Sequence, residues 1–215
     1  RTRWAASLAA VGAMVGGSLI SAVPAVAADD THSIAEVQGT GDASPLAGQT
    51  VTTSGVVTAV YATGGYRGYT IQTPGTGGET DPGTRTASDA VFVFSGATAG
   101  SVAVREHVQV TGAVSEYQGL TEITVNAASG VEQLDATTAA PAPPVSPPCP
   151  ADDASRETLE SMLYLPPGTA TVTHPYRTNQ SGQLGPATRT PPPTQPTAVA
   201  APRSDPAPAA AAAHP

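Results

Sequence analysis

Aromatic side chains beside an arginine form the first group in this sequence that could bind a ligand. The candidates are Tyr66, Arg67, Tyr69 and Tyr117, with Phe92 or Phe94, whichever points outward, as an extension. Single-stranded nucleic acids bind such surfaces because bases stack on aromatic rings and on arginine. The residue types therefore predict a candidate nucleic-acid-binding surface.

A second group consists of acidic side chains in a loop that is rich in glycine and proline, residues 74–89. Its members are Glu79, Asp81 and Asp89. Carboxylate oxygens are the ligands that Ca²⁺ prefers, so the loop is a weak candidate metal site. The spacing matches no EF-hand, and a solvated loop without a metal is the alternative.

Catalytic motifs are missing from the sequence. It contains no Gly-x-Ser-x-Gly elbow, no P-loop and no dinucleotide fingerprint. The single cysteine, Cys149, cannot form an internal disulfide, and its role stays open. We therefore expect no catalytic residue in this chain.

The charge balance limits the nucleic-acid hypothesis. The nine basic residues are all arginine, against 17 acidic residues, and the net charge is −8. Residues 34–134 hold three arginines and nine acids, a net charge of −6. Few phosphate contacts are available, so binding should be weak or bridged by a cation. The alternative is that the aromatic rings fill a core or pack against a partner domain.

The first 27 residues have the pattern of a secretory signal peptide. Arg1 and Arg3 precede an uncharged stretch, and Ala25–Ala27 supplies the small residues of a cleavage site near Ala27. A transmembrane anchor is the alternative interpretation. The sequence thus predicts a secreted, extracellular protein without a stable membrane span after cleavage.

The remaining chain changes composition near residue 139. Of 22 glycines, 19 come earlier, whereas 18 of 22 prolines come at or after this position. We expect a β domain over 34–134, a Pro-rich linker over 139–150, and a short helix–strand segment over 152–184. The segment 185–215 reads as a disordered tail. In the helix–strand segment, Asp152 and Asp153 can cap a helix. This helix would carry Leu159, Met162 and Leu163 on one face and end at Pro166–Pro167. A strand over 169–173 is predicted to follow it.

Five short strands are predicted within the β domain. They cover 50–61, 66–73, 90–94, 107–115 and 120–125, with a bulge or bend at Gly55 and a hairpin turn at 117–119. A long bent first strand and the lack of a sizeable helix favour a mainly β fold, a small five-stranded OB-like barrel. A β-sandwich is the competing architecture.

A series of motifs along the chain resembles the OB-like module that precedes the catalytic domain of large secreted bacterial nucleases. These enzymes belong to the endonuclease/exonuclease/phosphatase (DNase-I-like) superfamily. The motifs are Ile34–Gly41, Ser44–Leu46, Gly48, Val51, Gly55–Thr58, Gly68–Tyr69, Ile71–Thr73, Ser88–Asp89, Val91–Phe94, Val108–Gly112, Val114–Tyr117 and Gly119–Glu122. Downstream, Leu159–Glu160, Met162–Leu163, Val172–Thr173, Tyr176, Asn179–Gln180 and Gly182 are similar to the segment that joins this module to the nuclease.

The resemblance implies a non-catalytic module of an extracellular nuclease, in truncated or fragment form, that presents single-stranded or duplex nucleic acid. The family's catalytic motif ends in Asp-His, but His32, His107, His174 and His214 follow other residues, so no catalytic residue is carried over. The expected partner is a DNase-I-like domain encoded downstream, with a divalent cation, Mg²⁺ or Ca²⁺, in the full-length protein. The alternative is an exported scaffold that docks on a partner domain or the cell envelope and binds no nucleic acid.

Overall fold

The structure, a computed structural model, describes residues 31–78, 84–135, 144, 150, 152–166 and 168–187. Within them the chain is mainly β, and five strands close into a barrel. The barrel strands are β1 (Thr50–Tyr61), β2 (Gly68–Gln72), β3 (Ala90–Phe94), β4 (His107–Tyr117) and β5 (Leu120–Thr124). The predicted five-stranded barrel is confirmed, and the sandwich alternative is wrong.

The first strand bends, so that its two halves pair with different neighbours and close the barrel. Residues Thr50–Val56 pair with β4, and residues Val56–Tyr61 pair with β2. Gly55 lies at the change of partner, where a Cβ atom would be only 3.0 Å from the carbonyl oxygen of Gln72. The bend expected at Gly55 is present, but the register shift falls later, between Val57 and Ala59.

The other pairings complete the barrel in the order β1-β2-β3-β5-β4-β1. Strand β3 runs antiparallel to β2 and parallel to β5, while β4 and β5 form a hairpin. Gln118 and Gly119 have φ angles of 54° and 80°, as a two-residue hairpin turn requires, so the predicted turn is confirmed. The sequence does not predict a further short strand, β6 (Val131–Gln133), which pairs antiparallel with Val108–Val110 of β4.

The barrel core follows the alternation expected of half-buried strands. Tyr69 and Ile71 of β2 point inward, as do Val108, Val110 and Val114 of β4, and each is at most 1% exposed. These residues pack together in one apolar cluster. Inward positions at every second residue are what the pleat of a strand imposes.

One end of the barrel is closed by a short helix, α1 (Ile34–Gln38), which the sequence prediction missed. Ser33 caps it: its Oγ accepts a hydrogen bond from the Glu36 N–H, and the Glu36 carboxylate accepts one from the Ser33 N–H at 2.7 Å. Ile34 and Val37 of this helix are buried in the barrel core. The Ser-x-x-Glu capping signature was the signal that could have revealed the helix.

Beyond the barrel, a second short helix, α2 (Asp153–Glu157), is capped by Asp152 as expected. The prediction that it continues through Leu159, Met162 and Leu163 is wrong, because the helix ends at Glu157. Between Leu159 and Met162 the backbone makes turn-type bonds between residues three apart, such as Met162 N–H to the Leu159 carbonyl at 3.1 Å. Ser161 has a φ of 59°, outside the helical region, and Glu160 and Leu163 also bond to the barrel.

The predicted strand over 169–173 is observed as β7 (Thr171–His174). It pairs with β8 (Gly185–Ala187), and helix α3 (Thr178–Ser181) lies between them. Gly185–Ala187, the first residues of the predicted disordered tail, therefore forms a strand. Residues 1–27, predicted as a signal peptide, most of the predicted Pro-rich linker with Cys149, and residues 188–215 lie outside the described residues. In the part that is described, no helix is long and apolar enough to span a membrane.

Candidate binding face of the barrel

Three aromatic rings cluster on the outer surface of the barrel. Tyr61 ends β1, Tyr66 lies in the loop before β2, and Phe92 lies on β3. Their ring centroids are 5.5 Å apart for Tyr61 and Tyr66, 5.9 Å for Tyr66 and Phe92, and 6.3 Å for Tyr61 and Phe92. Tilted and edge-on contacts at these distances are favourable for aromatic pairs and hold the rings in place.

A groove of about 480 Å³ runs beside this cluster. The barrel side of the groove carries the three rings together with Thr58, Thr70 and Leu120. The opposite side is formed by Ser161–Tyr164 and by Gly182 and Gln183. Gln183 also donates a side-chain hydrogen bond to the Tyr66 hydroxyl. The groove thus lies between the barrel and the segment that follows it.

Residues Leu159–Leu163, which we call the strap, are held by hydrogen bonds to the barrel, and three of them, Ser161, Met162 and Leu163, form one wall of the groove. The Glu160 Oε1 atom accepts bonds from Gln38 Nε2 and from the Thr121 N–H, both at 3.1 Å. The Ser88 hydroxyl donates to the Glu160 carbonyl at 2.6 Å, and the Leu163 N–H donates to Gln72 Oε1 at 3.0 Å. The strap is therefore fixed at both ends.

Apolar packing adds to these bonds. Met162 is only 8% exposed and packs with Leu159 against Ala90 of β3. The residues of β2 that face away from the core, including Gln72, are buried as well. A barrel strand buries only one of its faces in the core. The outer face of β2 is therefore buried by the strap and the residues next to it.

Carboxylates dominate the electrostatics at this end of the barrel. The pKa of Glu160 is raised to about 7, chiefly because the carboxyl group is buried. The hydrogen bonds from Gln38 and Thr121 lower this pKa, whereas the nearby carboxylates of Glu157 and Glu116 raise it. Burial also raises the pKa of Glu122. This negative region would repel a phosphate backbone.

The structure distributes the four predicted nucleic-acid-binding residues over different environments. Tyr66 lines the groove, as the hypothesis requires. Arg67 is exposed but does not line the groove, and a Cβ atom at Gly96 would lie 2.8 Å from its guanidinium. Tyr69 is fully buried in the core, so its ring cannot stack on a base, and we remove it from the candidate surface. Tyr117 is 60% exposed but lies outside the groove, opposite Leu120 in the hairpin.

Of the two phenylalanines, Phe92 joins the aromatic cluster but is only 4% exposed, so it supports the other rings instead of offering a free face to a base. Phe94 is 36% exposed but does not line the groove. Tyr61 and the strap belong to the same surface but were missed from the sequence. The signal for Tyr61 was its position directly before a glycine-containing loop that ends in Tyr66. No local signal marks the strap.

The acidic loop is arranged differently from a metal site. Asp89 forms an ion pair with Arg85, whose side chain is only 6% exposed. A metal ion would have to compete with this guanidinium, so the predicted role of Asp89 as a ligand is not supported. Glu79 and Asp81 lie outside the described residues, and the described residues contain no group of three or more acidic, histidine or cysteine side chains that could hold a metal.

Replacement of Asp89 by asparagine should destabilise the barrel by about 2–3 kcal/mol, because the buried Arg85 cation loses its counter-charge. Burial already lowers the pKa of Arg85, in keeping with this cost. The matched control is Asp153→Asn, which breaks the exposed Arg156–Asp153 pair and should change stability far less. Urea denaturation measures both, and equal effects of the two substitutions would contradict the assignment.

Comparison with known proteins adds no relative: no protein-family model and no curated protein matches this chain.

Proposed function

We propose that the barrel is the non-catalytic, OB-like module of an exported nuclease of the endonuclease/exonuclease/phosphatase superfamily, and that it presents single-stranded nucleic acid to a catalytic domain. The observation that carries the proposal is the groove with Tyr61 and Tyr66 in its wall. The strand order agrees with an OB-like topology, and OB barrels use the face of strands 2 and 3 and the adjoining loops for oligonucleotides.

Base stacking supplies the attraction in this proposal. Tyr61 and Tyr66 offer rings at the groove. Arg67 is exposed but is not among the residues that line the groove. Stacking on an aromatic ring contributes roughly 1–3 kcal/mol per base and does not depend strongly on sequence. One or two bases stacked in this way contribute roughly 1–6 kcal/mol in total, so we expect the binding to be weak.

The negative charge of the module sets the character of this binding. With a net charge of −6 over residues 34–134 and carboxylates near the strap, few phosphates can be neutralised. Counterion release should then be small, so the affinity should depend only weakly on salt. This is the opposite of a basic nucleic-acid-binding domain.

The cation expected for the full-length family has no ligand set among the residues that the structure describes. We therefore assign no metal-dependent step to this chain. In the proposal, Mg²⁺ or Ca²⁺ and the hydrolytic residues belong to the DNase-I-like partner domain.

A second candidate function is a scaffold that docks on a partner domain or the cell envelope. The strap favours it, because the chain that leaves the barrel folds back and covers part of the outer β2 face. In this case Tyr61 and Tyr66 would contact protein rather than bases.

Substitution of Tyr66 by alanine should weaken the binding of a single-stranded oligonucleotide of about 12 nucleotides by roughly tenfold, the effect of one lost stacking contact. Fluorescence anisotropy at about 150 mM salt, where repulsion between the carboxylates and the phosphates is screened, measures the affinity. Tyr176→Ala is the matched control, since Tyr176 is 83% exposed and lies outside the groove. Wild-type protein that binds no oligonucleotide, or equal effects of both substitutions, would reject the nucleic-acid proposal and favour the scaffold.

A further inference from the structure

We propose that the strap is a pH-dependent closure of the groove, docked on the barrel in acidic solution and released as the solution becomes alkaline. This inference concerns the strap itself and does not depend on whether the groove binds a nucleic acid.

The geometry places the strap where it controls access. Ser161, Met162 and Leu163 form one wall of the groove, opposite the aromatic cluster of Tyr61, Tyr66 and Phe92. Release of the strap would remove that wall and expose the outer face of β2 and β3. The groove would then change from a slot into an open surface.

One residue, Glu160, connects the strap to three separate parts of the barrel through its side chain and its backbone carbonyl. Glu160 accepts from Gln38 of α1 and from Thr121 of β5, and its own carbonyl oxygen accepts from Ser88 before β3. The interaction with Thr121 is shared with Glu116 of β4, whose Oε1 atom accepts from the Thr121 hydroxyl at 2.9 Å. Docking thus brings the Glu160 carboxyl close to a second carboxylate.

The groups that face Glu160 favour its protonated form when the strap is docked. Gln38, Thr121 and Ser88 are uncharged, while Glu116 on β4 and Glu157 on α2 carry negative charge. Both donors bond to Oε1. A proton on Oε2 leaves Oε1 free to accept both bonds as a carbonyl oxygen, so protonation keeps the contacts and removes the repulsion.

The direction of the pH dependence follows from this. Docking raises the pKa of Glu160 from its ordinary value of 4.5 to about 7. Between these values the released strap binds fewer protons than the docked strap, so a rise in pH favours release. The stabilisation of the docked strap by the proton on Glu160 is fully present below about pH 4.5 and is lost as the pH rises through 7. The docking equilibrium should weaken by roughly tenfold to a hundredfold between about pH 5 and pH 8.

Amide hydrogen exchange of the full chain tests this. We expect the protection of residues 159–163, corrected for the base-catalysed intrinsic rate, to fall at least about tenfold between about pH 5 and pH 8. The protection of β2 inside the barrel should stay constant and serves as the internal reference. In Glu160→Gln the amide oxygen still accepts both bonds, so the strap should remain protected at both pH values.

The control is Glu132→Gln, a change of the same kind at an exposed position on β6, which should behave like the wild type. Protection of the wild-type strap that is constant or rises with pH overturns the proposal. So does a Glu160→Gln strap that is unprotected at both pH values while β2 stays protected, because docking would then require the carboxylate anion.

Discussion

Replacement of Tyr69 by alanine is expected to destabilise the barrel by about 3–5 kcal/mol, the usual cost of deleting a buried aromatic ring. The ring is fully buried among Ile71, Val91 and Val93, and burial also raises the pKa of its hydroxyl. A small domain has a total stability of about 5–15 kcal/mol, so the variant should lie close to unfolding. Urea denaturation followed by circular dichroism measures the loss.

The control for this substitution is Tyr69→Phe, which keeps the ring and should retain most of the stability. Comparison with Tyr66→Ala separates folding from binding, because Tyr66 lies at the groove surface. We expect Tyr66→Ala to lower the stability clearly less than Tyr69→Ala, because Tyr66 is only partly buried, although it loses its ring contacts with Tyr61 and Phe92. A Tyr69→Ala protein of wild-type stability would contradict the burial of this ring.

Substitution of Gly112 by alanine should lower the unfolding free energy by about 3 kcal/mol. A Cβ atom at this position would lie 2.5 Å from the carbonyl oxygen of Thr124 and 2.8 Å from a side-chain carbon of Ile123. The nearest atom belongs to the backbone of β5 and cannot rotate away, so β4 and β5 would have to separate. Thermal unfolding measures the effect.

Gly41→Ala is the matched control for Gly112→Ala, since a Cβ atom there meets nothing within 4 Å. It should be neutral or slightly stabilising, because alanine restricts the unfolded chain more than glycine does. If Gly112→Ala were as stable as Gly41→Ala, the close approach of β4 and β5 would be wrong.

The barrel strands could be predicted because their signals are local. Runs of β-branched residues, alternation in β4 and glycine at the turn gave strand bounds that match or nearly match those observed. The same alternation puts Tyr69 and Ile71 on one face, and Ile71 is an obvious core residue. Applied consistently, it would have placed Tyr69 in the core and not on a binding surface.

The strap could not be predicted because its contacts join distant parts of the chain. Glu160 and Gln38 are 122 residues apart, and no periodic pattern relates them. Leu159, Met162 and Leu163 have helical spacing, which correctly marked Leu159 and Met162 as apolar contacts, whereas Leu163 is 37% exposed. The bonds from Ser88 and to Gln72 then fixed the backbone in a non-helical path, an instance of tertiary contacts overriding local preference.

The way the barrel closes also determines the order in which the chain can fold. Thr50 pairs with Ala113, and the parallel pair of β3 and β5 likewise joins segments that are distant along the chain. Contacts between remote segments form slowly, and until they form, β1 and β3 each keep one edge open. A chain that is still emerging from the ribosome, or that is cut before β4, would therefore expose strand edges that can pair with another molecule. The incomplete barrel is thus the form of the chain most prone to aggregation.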